Sequence, residues 1–337
     1  MTRKEIVCAA LEHRETPTVP YHLDFAPPVG EDLQQYFGTS DLDRALGNYL
    51  YWLSPRPSLD FQGRRLKGPL VEDEFGVVWD KRPENRGYPV RHPLARPDLS
   101  GYTFPDPFAA GRFAAFPAQI EAHRDLFLVA WCGDLFERAH FLRGLGPLLL
   151  DFYEHPQFVH DLLDGILEFN LGLVRQLARF PLDGLFLSDD YGSQHGPLMS
   201  LAHWREFLRP RLQRLFAQVK GYGLRMFLHS CGNVEPFLPD LIDLGLDVLH
   251  PVQPEAMDLR TLKKRYGERL TLYGGLSTQR LLPRASPAQV QEAVRETVRC
   301  LAQGGGYILG PGITIQHDIP RENILAVLQA VREWVTG

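Results

Sequence analysis

The chain has 337 residues, of which 44% are hydrophobic, and a formal net charge of −5. That length suits one large α/β barrel as readily as two ordinary domains. The negative balance, with Lys and Arg scattered, argues against a nucleic-acid or anionic-membrane binder, since both need clustered positive charge.

The first segment, MTRKEIVCAALEHRETPTVP, has basic residues but no long apolar run and no small-residue cleavage site, so it reads as an amphipathic helix rather than a signal peptide. VPYHLDF (19–25) is a first strand. Between about 54 and 108 lies a Pro- and Arg-rich stretch holding FGVVWDK (75–81), with little helical pattern. It is read as an insertion over one barrel end, within a single domain spanning 1–337. LFLVAWC (126–132) is a further strand, and 157–180 a long helix with Leu162, Leu163, Ile166, Leu167, Val174 and Leu177 inward. Leucine-rich runs such as LGPLLLDF fall far short of the roughly 20 residues of a membrane span.

From 184 onward, short apolar runs alternate with helical stretches: GLFLSDD (184–190), RMFLHSC (225–231), DVLHPVQP (247–254), LTLYGGLS (270–277) and GYILGPG (306–312). Pro210 should kink the helix after Ser200. Gly245 ends another helix, and Asp258 and Gly267 bracket a third. Ser286-Pro287-Ala288-Gln289 is a capping box with Pro at the first helical position. Val290, Val294, Thr297 and Leu301 then share a face, and Gly304 stops that helix. Five consecutive strand–helix units imply a parallel sheet with right-handed crossovers. The expected fold is a (β/α)₈ TIM barrel with an elaborated N-terminal excursion; an open doubly wound sheet is the architectural rival.

In both architectures ligands bind beyond the carboxyl ends of the strands. Asp24, Cys132, Asp189, Asp190, His229, Cys231, Gln253 and Ser277 all fall there. His229 and Cys231, two apart on one strand, point to the same side, so imidazole and thiolate can meet on one metal, for which zinc is the natural choice. The bland alternative is that His229 bonds a backbone group while Cys231 packs. A third ligand is needed, and His250, His317, Asp189, Asp190 and Cys132 are the candidates. Of Asp189 and Asp190, adjacent on a strand, one should face the site, where two close carboxylates raise one pKa and suit proton transfer. Asp24 is expected to orient substrate, with Tyr191, Gln253, Ser277 and Cys132 in contact with it. Gly304-Gly305-Gly306 with Gly310-Pro311-Gly312 looks like a phosphate cradle, but the first three read as a helix end instead. Cys8 and Cys300 fall in helices, and the four cysteines have no disulfide-framework spacing, which fits a reducing cytoplasm.

Several long stretches occur in an order that resembles the uroporphyrinogen decarboxylase superfamily, in the branch related to cobamide-dependent methyltransferases. They are DEFGVVWDKRPENRGYPVRHPL with FPDP, DDYGSQHGPLMS, FLHSCGNVEPFLPDLIDLGLDVLHPVQPEA, YGGLSTQRLLP and GPGITIQHDIPRENILA. The resemblance implies a (β/α)₈ barrel. It also implies either metal-free decarboxylation of a carboxylated tetrapyrrole or zinc-dependent methyl transfer with a corrinoid carried by a partner protein. The decarboxylases grip their polyanion with an Arg-rich segment; here the loop after the first strand, APPVGEDLQQYFG, has no Arg before Arg44, and Arg64, Arg65 and Lys67 are the candidates to substitute for it. The methyltransferases hold zinc with a His-x-Cys pair, matched by His229 and Cys231, and a Cys or His just after a Gly-Pro-Gly-type turn. Ile313 stands at that third position. His317, or an acid, is expected to take its place. The first expectation is a zinc-dependent methyltransferase or demethylase acting on a small molecule, with His229, Cys231 and His317 on the metal. A decarboxylase is the second, and a ligand-binding barrel without catalysis the third. The sequence leaves open whether the chain is a homo-oligomer.

Overall fold

The computed structural model describes residues 1–55, 64–82 and 87–334. Strands in chain order are β1 (Leu50–Leu53), β2 (Arg64–Arg65), β3 (Leu70–Glu72), β4 (Val78–Asp80), β5 (Tyr88–Arg91) and β6 (Phe127–Gly133). They continue as β7 (Gly184–Ser188), β8 (Arg225–His229), β9 (Val248–Val252), β10 (Thr271–Leu276) and β11 (Tyr307–Pro311). Seven of them form one parallel sheet in the order β1-β6-β7-β8-β9-β10-β11, each pair separated by helix as the alternating sequence pattern requires.

The gap between β11 and β1 is filled by the 19–25 segment. His22 N–H donates to Leu309 and Leu309 N–H to Pro20, while Ile315 N–H reaches Asp24, all in parallel register. On the other side Tyr49 N–H donates to Tyr21 at 3.0 Å. Two residues on, regular pairing gives way to the Asn48 side chain, whose Oδ1 accepts Leu23 N–H at 3.0 Å while its Nδ2 donates to Leu23 C=O at 3.1 Å. The ring is thus closed, and the fold is a (β/α)₈-type barrel rather than an open doubly wound sheet. VPYHLDF is an irregular stave of it, stitched by single bridges.

Strand alternation sorts the side chains into two layers. Leu50, Phe127, Val129, Phe227, Val248, Tyr273 and Ile308 fill the barrel interior. Their chain neighbours, among them Leu128, Leu185, Met226, Leu228, Leu249 and Leu272, pack outward against the helices. The amino-terminal helix Arg3–Leu11, with a Thr2–Glu5 capping box, plugs the lower end of the barrel with Val7 and Leu11. The helix Pro156–Leu177 packs as its apolar face foretells. Before Pro210, the helix passes through a π-helical stretch, Trp204–Leu208, the distortion expected where proline takes a backbone donor away.

Of the excursion, residues 56–63 and 83–86 lie outside the described residues. The rest forms a four-stranded antiparallel sheet, β2-β3-β4-β5. It rests on the helices Phe136–Arg143 and Pro156–Leu177 through Trp79 against Phe141 and Phe75 against Phe169, at centroid distances of 4.8 and 5.0 Å. No described helix is long and apolar enough to cross a membrane.

Candidate active site

A cavity of about 700 Å³ opens at the carboxyl ends of the barrel strands. Its floor follows from strand parity. Because Phe227 points inward on β8, His229 does too; because Val248 points inward on β9, His250 follows it, and Phe186 on β7 is followed by Ser188. Asp190 and Cys231 come from the two loops immediately beyond β7 and β8. Gly192 and Gly232 let those loops touch: a Cβ on Gly192 would meet the Cys231 carbonyl at 2.7 Å, and Gly232 (φ +78°) has no more room. Asn233 N–H then donates to the Ser193 carbonyl at 2.8 Å, and Cys231 N–H to Asp190 Oδ1 at 2.7 Å.

Three donor atoms converge as a result. Cys231 Sγ is 3.4 Å from His229 Nε2, and Asp190 Oδ1 is 3.5 Å from the same nitrogen. The three residues form a group in which all donor atoms lie within 4.8 Å of one another. Metal–ligand lengths of about 2.0 to 2.3 Å at the tetrahedral angle put the donors of a zinc site about 3.3 to 3.8 Å apart. The donor set therefore fits zinc in both chemistry and spacing, with at least one coordination position left toward the cavity.

The imidazoles behind it fix one another's protons. His229 Nδ1 lies 3.0 Å from His250 Nδ1, so one must donate to the other. Burial drives the pKa of His250 well down, helped by His229 and His22, so its ring is neutral. If His250 Nδ1 accepts, His229 carries its proton on Nδ1 and turns a bare Nε2 toward Cys231 and Asp190. His22 is likewise kept neutral by burial. Its Nδ1 accepts from Trp52 Nε1 at 3.2 Å, and Tyr273 Oη lies 2.8 Å from the same atom. Trp can only donate, so His22 holds its proton on Nε2, 3.7 Å from Asp43.

The remaining expected site residues are distributed unevenly. Asp24 lines the cavity, bonded by the Thr314 hydroxyl, and Ile313 lines it as well. Asp189 faces the helix layer, fully buried. It accepts from Leu135 N–H at 3.1 Å, Glu137 N–H at 2.7 Å and Tyr191 Oη–H at 2.5 Å. Burial nevertheless pushes its pKa up to about 7 against the pull of those donors. Tyr191, wholly buried, belongs to that same contact. Cys132 has the outward parity of β6 and packs among the helices, with Trp131 facing the cavity in its stead. Gln253 is buried and accepts from Gly232 N–H, buttressing the Cys231 loop. Ser277 bonds Glu255 beside a separate, smaller hollow. His317 is exposed and does not line the cavity.

The cavity also contains Glu137, Trp52, His22 and Asp43, none of them singled out by the sequence. Glu137 enters because Asp189 gathers the amino end of its helix onto β7. Its carboxyl accepts from Ser188 Oγ at 2.9 Å. Burial first, then the Asp190 charge, raises its pKa well above the ordinary range.

A closed α/β barrel with a His-x-Cys pair and an acid at its strand tips defines the class of protein. The chain belongs to the uroporphyrinogen decarboxylase family, whose model (Uroporphyrinogen decarboxylase, URO-D) matches residues 117–334. It is 26% identical over 178 residues to a methylated-thiol–coenzyme M methyltransferase of Methanosarcina mazei, covering 53% of this chain and 45% of the relative. It is 33% identical over 137 residues to a methylcobamide:CoM methyltransferase of Methanosarcina barkeri, covering 41% of this chain and 38% of the relative. The chain thus spans less than half the length of these curated relatives. A uroporphyrinogen decarboxylase of Methylococcus capsulatus is 24% identical over 264 residues, 74% of this chain and 73% of that one. Among solved structures, a methyltransferase from Methanosarcina mazei superposes with a TM-score of 0.74 at 21% identity, covering 99% of both chains, which supports the fold.

Proposed function

We propose that the chain is a zinc-dependent methyltransferase or demethylase working with a corrinoid presented by a partner protein. The observation that carries this reading is the spacing of Asp190, His229 and Cys231 at the mouth of the cavity. Those three residues would hold the metal, Asp190 filling the place that Ile313 vacates. Zinc bound there would supply Lewis acidity, either activating a substrate thiol or polarising a leaving group. The methyltransferases among the relatives favour this chemistry, and the two described above are named for coenzyme M.

The chain's own groups divide the remaining work. His250 orients His229. Glu137, whose pKa burial raises, faces the cavity and would exchange with substrate the proton that the reaction moves. Asp24 and Thr314 position substrate at the opposite wall. Metal-free decarboxylation of a tetrapyrrole polycarboxylate is the weaker reading, because no Lys or Arg is among the described residues lining the cavity.

Metal analysis of freshly purified, untagged protein tests the proposal. About one zinc per chain is expected, and its loss in His229→Ala and in Cys231→Ser. Background zinc in the wild type, with H229A indistinguishable from it, would overturn the mechanism. Carbon dioxide release from uroporphyrinogen would transfer the assignment to the decarboxylase.

A further inference from the structure

The wall of the cavity has a composition that the metal does not explain. Four carboxylates face it, Asp24, Asp43, Glu137 and Asp190, and no Lys or Arg does among the described residues. A divalent metal held by Asp190 and the Cys231 thiolate is already charge-balanced. Glu137 is neutral when protonated. That leaves Asp24, bonded by the Thr314 hydroxyl, and Asp43, which accepts from Asn48 Nδ2 at 2.7 Å beside the neutral His22. Among the described residues, these two carboxylates thus meet the cavity with hydroxyl, amide and imidazole partners and no Lys or Arg.

Five aromatic side chains, Phe25, Trp52, Trp131, Phe186 and Tyr273, line the same cavity among aliphatic and polar ones. Trp52 and Phe186 meet edge to face at 4.3 Å and form a corner. Phe186 lies 5.8 Å from the His229 ring, so this corner abuts the donor set. Tyr273 closes it, 6.3 Å from Trp52, and Trp131 lines the same cavity. Aromatic faces with nearby carboxylates, in a cavity partly shut off from water, attract cations that carry their charge behind methyl groups. An anionic substrate would meet repulsion and no donor fork.

We propose that the small molecule this cavity receives is a methylated onium ion, with methyl groups on a quaternary nitrogen or a sulfonium sulfur. The inference rests on the methyl-transfer reading for its reaction, and on the charge of the wall for its ligand. It sets this chain apart from an enzyme whose small-molecule substrate is an anion.

Calorimetric titration of the zinc-loaded, full-length protein with three probes of similar size tests it: tetramethylammonium, tert-butanol and methanesulfonate, with trimethylsulfonium to separate nitrogen from sulfur. Saturable binding of at least one onium is expected, about tenfold tighter than the neutral alcohol, with no binding of the sulfonate. Asp24→Asn should weaken onium binding about tenfold, and Trp52→Leu by a similar factor. His229→Ala, stripped of metal, should still bind the onium. Tighter binding of methanesulfonate, equal binding of alcohol and onium, or no saturable binding of any probe would overturn the proposal. Because the probe series is read on wild-type protein, a poorly folding variant does not blunt it. Wild-type protein that carries only background zinc as purified, yet binds the onium, would sink the metal reading and leave this one standing.

Discussion

His250 is outside the Asp190–His229–Cys231 donor group, yet its Nδ1 lies 3.0 Å from that of His229 and, under the proposed metal binding, would decide which nitrogen of its neighbour is bare. Partners of this kind fix ring orientation and tautomer, and their loss lowers metal affinity about 10- to 100-fold. His250→Phe should show that loss in a chelator-competition titration, while His250→Gln, which keeps an acceptor, should recover part of it. Equal zinc affinity in all three proteins would make His250 a packing residue only. Asp189 makes a separate expectation at this scale. Its folded pKa of about 7 lies above the unfolded value, so the native state prefers the neutral acid. The stabilisation it contributes is complete below about pH 4 and is lost as pH rises through 7. Asp189→Asn cannot ionise. The stability difference between wild type and D189N should therefore shift against the wild type by on the order of 3 kcal/mol between pH 4 and pH 8 in paired urea melts; a flat difference would mean Asp189 stays ionised. Period-two alternation made much of this site legible: it placed His229 and Cys231 on one side and required Asp189 and Asp190 to diverge. The same parity, counted from Phe127 and Val129, points Trp131 inward, a signal available in the sequence but outweighed there by the chemistry of a thiol. Glu137 was not legible, because a helix residue reaches the cavity only through a tertiary contact, here Asp189 holding the helix's first turn.

At the scale of elements, the barrel seam is the part the sequence described least well. The five strand–helix units after residue 184 each brought a short apolar run, a turn and a helical stretch, and all five runs are strands of the sheet. β1 offers only the four residues Leu50–Leu53, caught between Gly47-Asn48 and Pro55, too short for any periodicity to stand out. Its partner stave lacks regular pairing, so its closure falls to the Asn48 side chain, which reproduces a peptide group opposite Leu23. Asn48→Ala should leave a buried N–H and C=O unmet, costing about 2 to 4 kcal/mol in denaturant unfolding. Faster hydrogen exchange at Leu23 and Tyr49, beside Asp24, should accompany it; unchanged exchange there would show that the seam closes without that side chain. β6 ends under a comparable constraint. Gly133 adopts φ +133°, and a Cβ there would stand 2.1 Å from Asn170 Oδ1. Gly133→Ala should therefore destabilise the fold by more than the roughly 1 kcal/mol of an ordinary glycine effect.

Across the whole molecule, the excursion and the barrel are held together by buried charge. The Arg138 guanidinium donates to Asp134, at the end of β6, and to Asp73 in the excursion, at 3.0 and 2.9 Å. It lies 4.2 Å over the Phe75 ring, and a second bridge joins Arg112 to Glu74 at 2.6 Å. No local pattern in the sequence could couple Arg138 to a carboxylate 65 residues away, so the excursion was legible only as a non-helical interruption. Removing one partner of such a network strands charge in a dry interior, at about 3 to 5 kcal/mol. Arg138→Met should lower stability by that order. The double variant R138M/D134N, which also removes the stranded Asp134 carboxylate, should recover much of it. The consequence extends to the site, because Arg138 follows Glu137 on one helix: R138M should loosen the excursion sheet in hydrogen exchange and also reduce turnover under conditions where the protein remains folded. If turnover is untouched while the sheet loosens, the excursion and the cavity are independent, and the charged strap between them serves stability alone.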